Sequence, residues 1–295
     1  MRISPLAGRR APTVGGGVEG GSRISMPGGQ APAPATRRWA LDVPRIVSVV
    51  GVVAIHVFGN MVGNDAVRGS ARWWAAVVVD LGFVWVVPVV VMISGASILE
   101  PRQFATGPAD FYRRRLLRLG PAFVFWPLFY VFVVNSVMAG EVADAKGSLL
   151  GAIDGRSYTY LYFLWLIVGL YIVAPVLAAF LQGGGRRRGH DALLPIGYFG
   201  PVVTVVALAW FVVGVSVLND WRPRRTAGFI RVLSDVSFGV FLVHFALIHV
   251  VRTVPAPAPT DEFLPVTILV WVLVTELSFA LVVALRRIPW VHRLV

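Results

Sequence analysis

The chain has 295 residues, of which 57% are hydrophobic and 14% are charged. Soluble domains are about 45 to 50% apolar. The excess of apolar residues and the mean hydropathy of +0.74 therefore indicate a protein that lies in a lipid membrane. The net charge of +12 does not indicate nucleic-acid binding, since the arginines form short blocks beside apolar segments, as membrane topology signals do. The absence of cysteine from this sequence excludes disulfides, thiolate metal sites and a cysteine acyl-enzyme.

Residues 1–38 are rich in Gly, Pro, Ala and Arg and contain almost no large apolar side chains. Because such a segment cannot bury enough apolar surface to fold, it is predicted to be a disordered cytoplasmic tail. A cleavable signal peptide is not expected, because the first apolar run begins only near Leu41 and carries ionisable residues. Residues 39–295 are predicted to form a single transmembrane domain.

Seven apolar windows of about 20 residues follow the tail, and each is long enough to cross a bilayer. Their continuous Val, Leu and Phe runs lack the alternation of barrel strands, so they are predicted to be helices. The sequence therefore predicts an all-α integral membrane protein with about seven transmembrane helices in one bundle. The windows are 41–61, 73–99, 119–139, 159–181, 195–217, 232–252 and 264–285.

Arginine blocks predict the orientation of these spans. Arg37 and Arg38 precede the first window and the block 113–118 follows the second, which predicts a multi-pass plasma-membrane protein with a cytoplasmic N-terminus. A conflict arises at the fifth window, 195–217, because arginine blocks flank it on both sides and one crossing cannot place both in the cytoplasm. Seven crossings would also place the C-terminal arginines outside, against their charge.

The first window carries two ionisable residues that share a helix face. Arg45 and His56 are eleven positions apart, which at about 100° per residue returns to nearly the same face after a rise of roughly 16 Å. Ionisable groups inside a span are rare and costly, so each is a candidate functional residue. Two alternatives stay open: Arg45 could be an interfacial arginine paired with Asp42, and His56 could be a packed histidine bonded to a carbonyl.

Five segments, taken in chain order, resemble the acyltransferase 3 family, the membrane-bound transmembrane O-acyltransferases of bacteria. They are Leu41-Asp42-x-x-Arg45 with His56, Pro88-x-x-x-Met92-Ile93-Ser94-Gly95, the block 111–121 with Arg115 and Arg118, Tyr160 to Pro175, and Ser237 to His244. The resemblance implies an enzyme that moves an acyl group, with acetyl favoured, from acyl-CoA to a hydroxyl of a cell-surface glycan or lipid-linked sugar.

Several positions depart from the family pattern. Ala96 replaces the usual Tyr, Tyr160 stands where His is common, and Tyr162 stands where Trp is common. Family members usually have about ten spans, whereas only seven windows of spanning length are present here, so about three spans are missing around residues 182–194. An alternative function therefore stays open: a catalytically inactive shortened relative, or a transporter-like membrane protein. Turnover of labelled acyl-CoA would discriminate between them.

Physical roles can be assigned beside the resemblance. Histidine has an unperturbed pKa near 6.5, which suits His56 as the base that accepts the hydroxyl proton, while Arg45 lies on the donor side. Arg115 and Arg118, three residues apart on a helical turn, are predicted to bind the phosphates of coenzyme A, because planar guanidinium groups bind phosphate well.

Five further residues are predicted to line the substrate cavity. They are Asp42, Asp80, Ser94, His244 and Glu276. Glu276 could instead neutralise His244 or Arg45 structurally. The motifs predict no metal site and no permanently bound cofactor. The expected partners are membrane lipid and a carbohydrate or lipid-linked sugar acceptor, and nucleic acid is not expected to bind. Formation of a homo-oligomer stays open.

Overall fold

The computed structural model describes residues 39–130, 132–134, 162–182, 201–253, 261–291 and 294, so the predicted tail and Tyr160 lie outside the described residues. Eight α-helices and no strands occur within these ranges. The helices are α1 (Trp39–Val62), α2 (Ala71–Gly82), α3 (Val86–Ile98), α4 (Pro108–Phe129), α5 (Tyr162–Gln182), α6 (Pro201–Leu218), α7 (Ala227–Thr253) and α8 (Leu264–Leu285). Two short 3-10 helices, Asp65–Val67 and Pro101–Phe104, connect neighbouring helices.

Six segments of the described residues are long and apolar enough to cross a membrane. They are α1, the combined α2 and α3 (Ala71–Ile98), α4 with its continuation to Val134, α5, α7 and α8. The prediction of an all-α membrane bundle is therefore confirmed. The window predicted at 195–217 contributes α6, whose 18 residues rise roughly 27 Å, close to the hydrocarbon core of about 30 Å.

The second predicted window is divided into two helices. The hydroxyl of Ser70 caps the start of α2 by accepting a hydrogen bond from the backbone N–H of Trp73 at 3.3 Å, as N-terminal serines do. Helix α2 ends at Gly82, and α3 begins at Val86. This break lies against Gly51 of α1, where an added Cβ would come within 2.6 Å of the Phe83 ring. Glycine at this position therefore allows the two segments to approach closely.

Helix α1 is central, and α7 and α8 pack on it in opposite directions. Ser234 contacts Asp42 near the start of α1, and His244 contacts His56 further along, so α7 runs parallel to α1. Helix α8 is antiparallel: Leu264, at its start, packs near the end of α1, and the indole N–H of Trp271 donates to the carbonyl of Val50 at 3.2 Å.

The other helices alternate in direction around α1. Asp80 of α2 lies beside Gly59, whereas Ser94 of α3 lines the same cavity as Arg45, so α2 and α3 are antiparallel to α1. Helix α4 starts where α3 ends, and α5 returns antiparallel to it, since the Tyr112 hydroxyl donates to the Ile172 carbonyl at 2.8 Å.

Most arginines of the described ranges consequently meet at one end of the bundle, here called the basic end. It contains the starts of α1, α4 and α7 and the ends of α3, α5 and α8. The arginines placed there are Arg113, Arg114, Arg115, Arg118, Arg224, Arg225, Arg231, Arg286 and Arg287. At the opposite end, here called the loop end, the Asn64 amide donates to the Asp261 carbonyl at 3.4 Å.

The six candidate spans of the described residues alternate in direction. They return the end of α8 to the end of the bundle at which α1 starts, as the charges of both segments require. Helix α6 packs beside α1, with Gly214 against the ring of Pro44 at the basic end.

Candidate active site

A buried polar network joins the starts of α1 and α7. The Ser234 hydroxyl donates to Asp42 Oδ1 at 2.5 Å and accepts from Arg45 Nη1 at 3.2 Å. Arg45 Nη1 also lies 3.8 Å from Asp42 Oδ1. Asp42 and Ser234 are buried, whereas the Arg45 side chain is 32% exposed. Because a buried carboxylate is costly unless it is paired, this network explains why Asp42 is tolerated in the core.

A cavity of about 90 Å³ begins at Arg45 and extends along α1. Its polar lining residues are Arg45, Ser94 and Ser237. The remaining lining is apolar, from Val49, Val52, Val87, Val90, Phe163, Ile167, Phe238 and Phe241. The cavity therefore offers one cationic group and two hydroxyls at the edge of an otherwise apolar space.

His56 of α1 and His244 of α7 contact each other one helical turn beyond the cavity, on the faces of the two helices that line it. The ring centroids of His56 and His244 are 5.3 Å apart and the planes are inclined by 29°. Nδ1 of His244 lies 2.7 Å from the Phe241 carbonyl and 3.2 Å from that of Val240. Since carbonyl oxygens only accept, Nδ1 of neutral His244 carries the proton and Nε2 is the acceptor. Nε2 is buried and has no hydrogen-bond partner among the described residues.

Asp80 lies beyond this pair, towards the loop end. Its Oδ1 is 3.6 Å from the point where a Cβ on Gly59 would stand, and Gly59 follows His56 by one helical turn. The predicted cavity residues Asp42, Ser94, His244 and Asp80 therefore lie along one side of α1, together with Arg45 and His56. We call this set, with Ser234, the polar track.

The two arginines predicted to bind phosphate differ in their surroundings at the basic end. Arg115 is half-buried, donates to Gln103 Oε1 at 3.0 Å, and places its guanidinium carbon 5.1 Å from the Tyr171 ring centroid. Arg118 is exposed. Arg115 thus helps to hold α4 against α5, while Arg118 is presented to solvent.

Glu276 does not lie on the polar track. Its side chain is exposed, while its neighbours Val274, Thr275 and Ser278 are buried. The structure therefore does not support the interpretation that Glu276 lines the cavity or neutralises His244 or Arg45. The hydroxyl of Ser278 instead bonds its own helix, donating to the Val274 carbonyl at 2.6 Å.

A comparison with known protein families shows the family to which this chain belongs. Residues 38–188, just over half of the chain, match the model of the acyltransferase 3 family, described as an acyltransferase domain. The chain belongs to the acyltransferase 3 family. No curated protein and no solved structure gives a significant match.

The acyltransferase 3 match contains only part of the polar track. It includes α1 to α5, and with them Arg45, His56, Asp80 and Ser94. Ser234 and His244 lie on α7, outside the matched residues, yet they pack directly against α1. The half of this acyltransferase that lies beyond the family match therefore contributes to the same candidate site.

Two residues of this acyltransferase were missed by sequence reasoning. Ser234 completes the network with Asp42 and Arg45. The signal available for it was a polar stripe, since Ser234, Ser237 and His244 share one face of an otherwise apolar helix. Tyr130 is fully buried, donates to the Leu242 carbonyl at 2.8 Å and accepts from the Ala246 N–H at 3.2 Å. No local pattern indicates that contact.

Proposed function

We propose that this acyltransferase moves an acyl group, with acetyl favoured, from acyl-CoA to a hydroxyl of a cell-surface glycan or lipid-linked sugar. One observation carries the proposal. Arg45 and His56 lie on one face of α1, separated by roughly 16 Å of helix, and the cavity extends from Arg45 along that face. The cavity reaches Val52, one helical turn before His56, so a cation for the donor and a base for the acceptor lie on the same face, at and just beyond its two ends.

The basic end supports donor binding. Coenzyme A carries several phosphates, and guanidinium groups bind phosphate through two parallel hydrogen bonds. Arg118 presents such a group to solvent, with Arg115 one turn away on α4. Arg45 then lies at the opening of the cavity, whose apolar lining suits an uncharged thioester-bearing arm.

The two histidines support the chemical step. His56 takes the proton of the acceptor hydroxyl as its oxygen attacks the thioester carbonyl. The carbon–sulfur bond then breaks, and the leaving thiolate takes the proton back from His56, so that an ester and a free thiol are formed. His244 packs against the His56 ring, which restricts the positions that His56 can adopt and aids orientation.

The charge asymmetry supports a transmembrane arrangement. With the basic end in the cytoplasm of a bacterial cell, cytoplasmic acyl-CoA approaches Arg45 and an external acceptor approaches His56 from the loop end. The protein is then a multi-pass enzyme of the plasma membrane. Its N-terminus and C-terminus are both cytoplasmic.

Transfer of radiolabelled acetyl from acetyl-CoA by the purified, vesicle-reconstituted chain tests this function. We expect label in the products when a lipid-linked sugar mixture is supplied, and release of one thiol for each ester formed. A chain that unfolds cooperatively on heating but transfers no label would contradict the proposal and support a non-catalytic membrane protein. A tag at the C-terminus that is accessible only after cell permeabilisation would support the orientation, and an externally accessible tag would contradict it.

A further inference from the structure

Asp80 is an intramembrane carboxylate that the proposed chemistry does not use. It lies on the face of α2 that packs towards α1 and is half-buried. Within the described part of the chain, no hydrogen bond or ion pair reaches its carboxylate. A carboxylate inside a span is costly and normally faces a partner, a cavity or a substrate pathway. Its place in the bundle therefore needs a ligand or water to account for it.

Gly59 leaves space between Asp80 and α1. A Cβ at this position would stand 3.6 Å from the Asp80 oxygen, an ordinary contact that would fill the gap without a clash. Residues three apart on a helix have Cβ positions about 5 to 6 Å apart, so the Asp80 Oδ1 atom lies within roughly 10 Å of the His56 Cβ. A ligand of about the size of a sugar ring is needed to reach both groups.

His244 supplies a second, independent observation. Its Nε2 atom is buried and lacks a partner among the described residues, while its ring stacks on His56. Nδ1 is committed to backbone carbonyls, so Nε2 is available only as an acceptor. Two groups around His56, an imidazole nitrogen and a carboxylate, thus accept hydrogen bonds and have none to accept from the described residues.

We propose that Gly59, Asp80, His56 and His244 form an acceptor niche that binds an uncharged sugar through at least two of its hydroxyls. One hydroxyl lies at His56 for acylation, while a neighbouring hydroxyl donates to Asp80. A ring bearing its own carboxylate is disfavoured, because two negative charges would meet inside a low-dielectric site. This inference rests on the proposed function, and it names the acceptor class and the residue that selects it.

A pair of alkyl glycosides tests the niche by kinetics. Octyl glucoside and octyl glucuronide differ by one carboxylate, and acetyl-CoA is the donor for both. We expect the wild-type chain to prefer the glucoside by at least about 10-fold. Asp80→Asn should raise the KM for the glucoside by about 10-fold, as expected for one lost hydrogen bond to a charged group, reduce the preference and leave the KM for acetyl-CoA unchanged.

Two further variants control this comparison. Gly59→Ala fills the niche without removing a charge, so it should also raise the glucoside KM. Asp65→Asn removes a carboxylate that is exposed at the loop end and paired with Arg68, so its kinetics should match the wild type. Wild-type KM and preference in Asp80→Asn would overturn the inference and leave the proposed function standing.

A thiol-protection experiment tests binding without turnover. Because the sequence contains no cysteine, Asp80→Cys carries a single thiol that a maleimide can label in the full-length chain. Octyl glucoside, supplied well above the KM that Asp80→Asn shows for it, should occupy the niche through His56 and His244 and slow labelling relative to octanol, which has the same alkyl chain and no sugar. Protection by octyl glucoside without any acetyl transfer by the wild type would support the niche and contradict the proposed function. Equal labelling in the two amphiphiles, or no labelling at all, would contradict the niche.

Discussion

The two ends of the polar track are built differently. At the basic end, Asp42, Ser234 and Arg45 satisfy one another, and the two buried members bond across 192 residues of sequence. Towards the loop end, His56 stacks on His244 and Asp80 lies beside Gly59, but the Nε2 atom of His244 and the Asp80 carboxylate have no partner among the described residues.

This difference indicates that, within the parallel pair α1 and α7, the basic end has a structural role and the region near His56 has a chemical role. A satisfied buried network stabilises the contact between α1 and α7, whereas unsatisfied acceptors lower stability unless a ligand uses them. Variants at the two ends should therefore fail in different ways. Those at the basic end should affect stability or donor binding, and those near His56 should affect turnover.

The largest effect is expected for His56→Ala. Loss of a general base lowers turnover by about 100-fold or more, and because His56 is only half-buried, we expect little change in the amount of folded protein in membranes. Initial rates of labelled acetyl transfer, normalised to protein abundance, measure this effect.

His249→Ala is the matched control for that variant. His249 is five residues beyond His244 on α7, which places it about 140° away around the helix, so the variant should keep turnover within a few-fold of the wild type. If His56→Ala were equally active, His56 would be a packing residue and the division between the two ends would disappear.

A smaller effect, on stability, is expected for Asp42→Ala. Ser234 would lose its acceptor and Arg45 its carboxylate neighbour, so we expect the free energy of unfolding to fall by about 1 to 3 kcal/mol. Thermal unfolding of the detergent-purified protein measures the change. Asp42→Asn, which keeps an acceptor for the Ser234 hydroxyl, should recover part of it. Unchanged melting of Asp42→Ala would mean that the network does not hold α7 to α1.

The smallest effects are expected at the two phosphate-binding candidates. Arg118→Ala should raise the KM for acetyl-CoA by about 10-fold, the size expected for a lost charge-assisted contact, without lowering the melting temperature. Arg115→Ala should change both quantities, because Arg115 also stacks on Tyr171 and bonds Gln103. Selective weakening of acceptor use in either variant would contradict donor binding at the basic end.

Local spacing predicted the part of the site that lies on one helix. Arg45 and His56 share a face of α1 because eleven residues make about three helical turns. The contact between His56 and His244 could not be predicted in the same way, since no periodicity specifies which faces of two distant helices meet. Family resemblance placed His244 in the cavity, and the structure adds its neighbour.

The placement of Glu276 shows a second limit of sequence reasoning. Apart from Glu276 and a few small hydroxyl residues, helix α8 is apolar on all sides, so its composition does not distinguish a lipid-facing side from a packed side.

The parallel pairing of α1 with α7 also has a consequence for biosynthesis. Ser234 emerges from the ribosome 192 residues after Asp42, which at about 5 to 20 residues per second corresponds to roughly 10 to 40 s. During that interval, α1 must be inserted while the hydroxyl that completes its carboxylate network does not yet exist. A nascent chain arrested before α7 therefore has Arg45 as a neighbour of the Asp42 carboxylate but lacks the hydroxyl that completes the network.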